Sequence, residues 1–208
     1  MPTLQLYATP HSGHCHRVAL LLGMLKLSYD VIDAPAALRR TADFQRLNPV
    51  GQIPVLIDGD KILTDSNAIM VYLVKRYAPG SHWLPEEALA AAQVQVWLSR
   101  AAGEVRYGPG SSRMVVQFAA PEDYPAALAI SGRFLPQMER HLAKRAFLAT
   151  DQPTIGDLAC YSYVAAAPEG GISLAPYPAI RRWITRIAAL PGFFAMPSLP
   201  LPQTAQEE

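Results

Sequence analysis

Charge of one sign is scarce in this 208-residue chain: 18 lysines and arginines stand against 17 aspartates and glutamates, a formal net charge of +1. Without a basic excess, a nucleic-acid partner held through bulk phosphate charge is excluded. With 50% of residues hydrophobic and 17% charged, a disordered chain is excluded too. Cysteine is limited to Cys15 and Cys160, and the start lacks the charged, apolar and cleavage-site regions of a secretory leader, so a reducing cytoplasm is expected. Long hydrophobic runs are missing as well. Residues 18–22 fall far short of the ~20 needed to span a bilayer, so no membrane partner is expected. No internal repeat is evident at periods of about 20 to 50 residues. What is left is a globular protein long enough, at roughly 100 to 200 residues per domain, for one large unit or two small ones.

The pattern favours two. Residues 3–7 alternate as a half-buried strand, and Pro10 to Gly13 punctuates before an apolar helical run over 18–25. Residues 28–33 read as a second strand, and 38–47 as one short helix that must stop before Asn48-Pro49, because a residue preceding proline is pushed out of the α region. The β-rich runs 53–57 and 61–64 flank Asp58-Gly59-Asp60, a hairpin signal. Asp65-Ser66 then supplies cap chemistry for a helix carrying Ile69, Met70, Tyr72, Leu73 and Tyr77. The order is βαβαββα, complete by about residue 78. Beyond Pro79-Gly80-Ser81 and Pro85 the patterns are helical, as in 88–98, Leu135/Met138/Leu142 and Ile180/Trp183/Ile184/Ile187. The expected organisation is α/β plus all-α: a first domain over 1–78, a linker over 79–88, a helical domain over 89–196 and a loosely ordered proline-rich tail over 197–208. Gly108-Pro109-Gly110-Ser111-Ser112 suggests a break within the first long helix.

Chemistry gathers in the first loop, where His11, Ser12, His14, Cys15 and His16 fall between the first strand and the first helix. In open α/β sheets ligands collect at such turns, and helix N-termini favour anions. Ser12 can serve as a plain N-cap or as a hydroxyl donor to a bound thiolate. Cys15, three residues on, has the spacing of a C-x-x-C pair with its first cysteine replaced; it is either a redox nucleophile or a small buried helix residue. Three histidines and a cysteine on one turn cannot all face one ion, and His82 and His141 form no second cluster, so no metal is expected. Pro54 interrupts a β-rich run, which calls for an edge position or a cis bond. A cis bond would turn the Ile53 backbone outward, able to pair in β fashion with an extended peptide-like ligand. Thr154 with Asp157 forms a capping box, a structural device.

Asn48-Pro49-Val50-Gly51-Gln52-Ile53-Pro54-Val55-Leu56, then Asp65-Ser66-Asn67-Ala68-Ile69 leading a helix, all after a serine-bearing first loop, closely resemble the cytosolic glutathione transferases, in particular the serine-type, theta-like bacterial ones. Thr154-Ile155-Gly156-Asp157-Leu158 is similar to that family's motif in the helical domain, and the resemblance extends through Tyr177-Pro178 and Leu190-Pro191-Gly192-Phe193. It implies a thioredoxin-like N-terminal domain that binds glutathione, a C-terminal helical bundle that supplies most of the pocket for a small hydrophobic electrophile, and a homodimer. Carried over by position, Pro54 is the cis proline, Ile53 pairs with the cysteinyl unit, Gln52 lies near the glycyl end, and Asp65 and Ser66 hold the γ-glutamyl ammonium and carboxylate. Arg39, with Arg40 as its rival, falls where some members place a basic contact to the glycyl carboxylate. Ser12 is the first choice as the group that activates the thiol; Tyr7 and Cys15 are the others. Tyr107, Met114 and Phe118 are candidates for the electrophile pocket or for the core. Two other readings remain: a non-enzymatic scaffold keeping the fold, and a glutathione-dependent disulfide reductase using Cys15.

Overall fold

The computed structural model describes residues 4–202. Strand β1 (Leu4–Ala8) alternates buried and half-buried positions. Helix α1 (Gly13–Met24) follows, sending Val18, Leu20, Leu21 and Leu22 into the core. Each such side chain contributes about 2 kcal/mol by leaving water. Strand β2 (Tyr29–Asp33) returns parallel to β1, with Leu4 opposite Tyr29, while β3 (Val55–Asp58) runs antiparallel to β1 and β4 (Lys61–Thr64) antiparallel to β3. The sheet order is β2-β1-β3-β4. The β3–β4 hairpin turns through Gly59, whose φ of +60° suits a residue without a side chain. Asp58 at its base accepts the hydroxyls of Tyr72 (2.7 Å) and Tyr77 (2.6 Å), fixing helix α4 (Ser66–Tyr77) to the sheet.

The stretch expected as one short helix over 38–47 is two, α2 (Ala36–Arg39) and α3 (Ala42–Leu47). Thr41 divides them: its hydroxyl donates to the Leu38 carbonyl (2.8 Å), ending one, and accepts the Phe44 amide (3.2 Å), starting the other. A hydroxyl that bonds its own backbone competes with continuous helix.

In the second half, α5 (Ala88–Arg100) runs into a π-helical segment (Ala101–Gly110) and on into α6 (Ser111–Phe118). The expected break at 108–112 is therefore absent. Pro109 lacks an amide proton and cannot serve an ordinary α turn, and the wider π turns accommodate it without ending the helix. Helix α7 (Tyr124–Leu142) crosses at Gly108, where a Cβ would lie 2.8 Å from Ser131 Oγ. Helix α8 (Ile155–Ala165) is buried at every residue from Ile155 to Val164 and is the axis of the molecule, with α9 (Pro178–Ala188) outside it. Its capping box is present: the Thr154 amide reaches Asp157 Oδ2 at 2.9 Å. Asp157 also takes the Leu148 amide and the Trp183 indole N–H, both at 2.9 Å.

One hydrophobic core runs through both halves. The connection between them is pinned rather than loose, since the Ile155 amide donates to the Trp83 carbonyl at 2.9 Å. In the tail, expected to be loosely ordered, the Leu199 amide reaches Glu169 Oε1 (3.0 Å) and the Pro200 carbonyl accepts from Gln117 (2.8 Å), so residues 199 and 200 are tied to the helical half. Proline-rich segments cannot form ladders, but isolated amides and carbonyls between prolines still pair with side chains. Residues 203–208 of the expected tail lie outside the described residues.

Candidate functional site

Four segments border one cleft of about 220 Å³: the first turn of α1, the loop 48–52, the Ile53–Pro54 unit, and the β4–α4 junction. The loop is shaped by Asn48, which the sequence marked as a helix stop and the start of a motif without a role of its own. Its side-chain amide donates to the Gln52 carbonyl (2.8 Å) and its carbonyl oxygen accepts the Val50 amide (3.2 Å). Gly51 turns at φ +68°, with the Arg39 carbonyl 3.3 Å from where a Cβ would sit. The Ile53–Pro54 peptide bond is cis, one of the two alternatives the sequence left open.

At the far wall, Asp65 adopts φ +66° and caps α4, one oxygen accepting the amides of Asn67 and Ala68 at 2.9 Å each. A non-glycine residue in this region is uncommon and costs of order 1 kcal/mol, which the two cap bonds offset. Ser66 is buried and lines the cleft beside it.

Beneath Ser66 lie Arg17, which the sequence did not single out, and His14, which the sequence weighed only as a metal ligand. Arg17 is wholly buried; its Nη1 donates to Asn67 Oδ1 (3.2 Å) and lies 3.5 Å from Ser66 Oγ, and its guanidinium sits 5.9 Å from the Tyr163 ring centre. Its Nε and Nη2 have no partner among the described residues, and burial lowers its pKa. A cation this poorly solvated makes its surroundings favourable for a bound anion. His14 lines the cleft, with Nδ1 3.3 Å from Ser66 Oγ and its ring edge-on to Tyr163 at 5.2 Å. Burial, reinforced by Arg17 and Arg106, pulls its pKa down to about 3, so the imidazole is neutral at pH 7. The available signal was positional: His14 and Arg17, three apart, share a face of α1 within the first turns after the Ser12 cap.

Of the residues picked from sequence, Gln52, Ile53, Pro54, Asp65 and Ser66 border the cleft together. Ser12 and Arg39 are not on that wall. Ser12 is the N-cap of α1, its oxygen accepting the Cys15 amide at 3.3 Å, which leaves the hydroxyl proton available to another acceptor. Helix α8 fixes this corner: a Cβ at Gly13 would meet the Tyr163 ring at 2.7 Å, so glycine lets α1 abut α8. Arg39 lies near enough for its charge to act on Cys15, and its Nε is buried without a partner among the described residues. Tyr7 packs edge-on against Phe44 at 5.8 Å, as a strand residue in a small second core. Cys15 is buried, and burial pushes its thiol up. The loop histidines diverge: His16 reaches Ser162 Oγ (2.9 Å) and the Phe194 carbonyl (3.0 Å), away from His14. Among the described residues no three His, Cys, Asp or Glu side chains gather as a metal site would require, and no helix is long and apolar enough to cross a membrane. Of the electrophile-pocket candidates, Tyr107 and Phe118 are exposed and Met114 is half-buried.

The N-terminal domain model of the glutathione S-transferases matches residues 6–82 and the C-terminal domain model of the same family matches 105–191. The chain is 33% identical to glutathione S-transferase 3 of Zea mays, with 97% of each chain covered. It belongs to the glutathione S-transferase family. A glutathione S-transferase from Xanthobacter autotrophicus superposes with a TM-score of 0.86 at 30% identity, covering 94% of this chain and 97% of that one. A theta-class glutathione S-transferase from Xanthomonas axonopodis, solved with glutathione bound, superposes at 0.82 with 26% identity over 92% and 95% of the two chains.

Proposed function

We propose that this chain is a glutathione transferase in which the cleft holds the tripeptide and the Ser12 hydroxyl stabilises its thiolate for attack on a small hydrophobic electrophile. The observation that carries this reading is the meeting, in one cleft, of the Ile53–Pro54 unit and the capped start of α4. The first would pair with the cysteinyl backbone and the second would hold the γ-glutamyl end. Asp65 supplies a negative charge for the ammonium, and Ser66 with the positive end of α4 suits the carboxylate, with Arg17 below adding to the same field. Gln52, and Arg39 beyond it, would serve the glycyl end. His14, held neutral, orients the Ser66 hydroxyl rather than moving a proton.

A thiol with a pKa of about 8.5 is only a few per cent thiolate at neutral pH. Lowering it by about two units requires roughly 2.7 kcal/mol of preference for the anion. A hydroxyl bond to the sulfur and the N-terminus of α1 together supply that much. The thiolate sulfur then forms a bond to the electrophilic carbon, and the displaced group leaves with its electron pair. The exposed apolar side chains Tyr107 and Phe118 are available to an apolar electrophile. A homodimer in the cytoplasm, using glutathione as co-substrate and no metal, completes the reading.

The test is an ultraviolet thiolate titration of bound glutathione in wild type and Ser12→Ala, after calorimetry has established binding. Wild type should show a bound-thiol pKa well below that of free glutathione; Ser12→Ala should return it toward the free value and reduce kcat about 10- to 100-fold. Binding with an unshifted thiol would favour a reductase or carrier, against which the buried, poorly acidic Cys15 already argues. Failure to bind would leave the scaffold.

A further inference from the structure

The loop that carries Ser12 is held from outside its own domain. Within the loop, the Ser12 amide closes a turn onto the Thr9 carbonyl at 3.2 Å, and Pro10 contributes no amide. The carbonyl of His11, the residue before Ser12, accepts instead from Nη1 of Arg113 at 2.8 Å, 102 residues away on α6. Arg113 is 0% exposed, and its Nε donates to Glu169 Oε2. Glu169 belongs to the 3-10 turn Ala167–Gly170, and its other oxygen takes the Leu199 amide at 3.0 Å. The Gln117 side chain closes the arrangement by donating to the Glu169 carbonyl at 2.7 Å and the Pro200 carbonyl at 2.8 Å. The close approach of this turn to α6 depends on Gly170, where a Cβ would lie 2.5 Å from Ser112 Oγ and 2.6 Å from the Arg113 amide.

A buried ion pair contributes little net stability compared with apolar side chains of similar volume, so stability alone does not account for Arg113 and Glu169. What the pair supplies is a direction. A guanidinium presents donors in a fixed fork, and with one prong set on Glu169 another is aimed at the His11 carbonyl.

We propose that Arg113 and Glu169 are positioning residues for the transferase reaction: from the helical half they fix the first loop so that the Ser12 hydroxyl points at the glutathione sulfur. This inference rests on the reading of Ser12 as the thiol-activating group. It makes thiol activation a joint property of both domains, with the C-terminal segment bracing the pair through Leu199.

The test uses the full chain with Arg113→Lys and with the double replacement Arg113→Met/Glu169→Leu, beside Ser12→Ala. Lysine keeps the charge near Glu169 and loses the fork; the apolar pair leaves no unpaired buried charge, so at least one of the two is expected to melt near wild type. Each folded variant should raise the bound-thiol pKa by about one unit and lower kcat about 10-fold, with KM for glutathione within about twofold. Combined with Ser12→Ala, Arg113→Lys should add nothing further, because a loop that has lost its hydroxyl has nothing left to aim. A merely structural role would leave the thiol pKa unmoved, or add its loss to that of Ser12→Ala, and either result overturns the proposal. If Ser12→Ala itself leaves the bound thiol unchanged, the Ser12 reading fails and the positioning role falls with it; if Ser12→Ala raises the pKa and the Arg113 variants do not, only the positioning role fails.

Discussion

Asp65 and Asp157 both serve helix starts, and their surroundings give them different work. Asp65 is exposed at the edge of the cleft and commits one oxygen to two amides of α4. Asp157 is 0% exposed, and its oxygens take the amides of Leu148 and Thr154, the Thr154 hydroxyl and the Trp183 indole. Burial pushes the Asp157 carboxyl up while those four bonds pull against it. The contrast shows that cap chemistry alone does not distinguish a cap that faces a cleft from one sealed in the core. The number of oxygens committed inside the protein does: a carboxylate with spare acceptor capacity beside a cleft can meet a ligand, and one saturated in the core cannot.

The largest effect should come from breaking the saturated member. Asp157→Ala strands two buried amides and an indole N–H, and should lower the unfolding free energy by about 3 kcal/mol or more, read by chemical denaturation. A loss below about 1 kcal/mol would mean that water replaces those bonds and that the site is not sealed. For the unsaturated member, Asp65→Asn separates cap from charge. Asparagine caps as well as aspartate and tolerates positive φ, so stability should stay within about 0.5 kcal/mol of wild type. Glutathione affinity, measured by calorimetry, should fall about tenfold, because the ammonium loses a charged partner. Equal affinity in the two proteins would remove Asp65 from the binding site and leave it as a cap alone.

The parts of the fold read correctly from sequence are those whose causes are local. The βαβαββα order, the Gly59 hairpin and the Thr154–Asp157 box each depend on residues within a few positions of one another, and the choice at Pro54 narrowed to two outcomes for the same reason. The divided helix at Thr41 turned on one hydroxyl choosing backbone over solvent, a contest that spacing does not decide. At Gly108-Pro109-Gly110 the local signal pointed to a break, but packing against Ser131 and α8 keeps the chain helical with wider turns. Tertiary context overrides propensity there. Of the residues picked from loops and caps, Gln52, Ile53, Pro54, Asp65 and Ser66 line one cleft, whereas Arg17 was passed over and His14 was weighed only as a metal ligand, because a polar residue on a helix has no meaning until its neighbours are known. Arg113 and Glu169, 56 residues apart with nothing periodic between them, carried no sequence signal at all.

The smallest effect in this comparison is also the one that separates cleft from core by pH. His14 titrates at about 3 in the folded protein and near 6.5 when unfolded, so between those values the unfolded chain binds the extra proton. Stability therefore rises with pH across that window and falls on acidification, by about 0.7 kcal/mol from pH 7 to pH 6 for this residue. His16 and His141 are also lowered, by burial, and act in the same sense, while Asp157, raised by burial, acts in the opposite one. The informative quantity is accordingly the difference between wild type and His14→Asn, measured by denaturant melts at both pH values. The variant should lose the His14 share of the acid sensitivity and keep the rest. An unchanged slope would mean that His14 is solvated and able to take up a proton beside Arg17, which would make the cleft floor wet rather than the dry, cation-backed surface that suits a carboxylate.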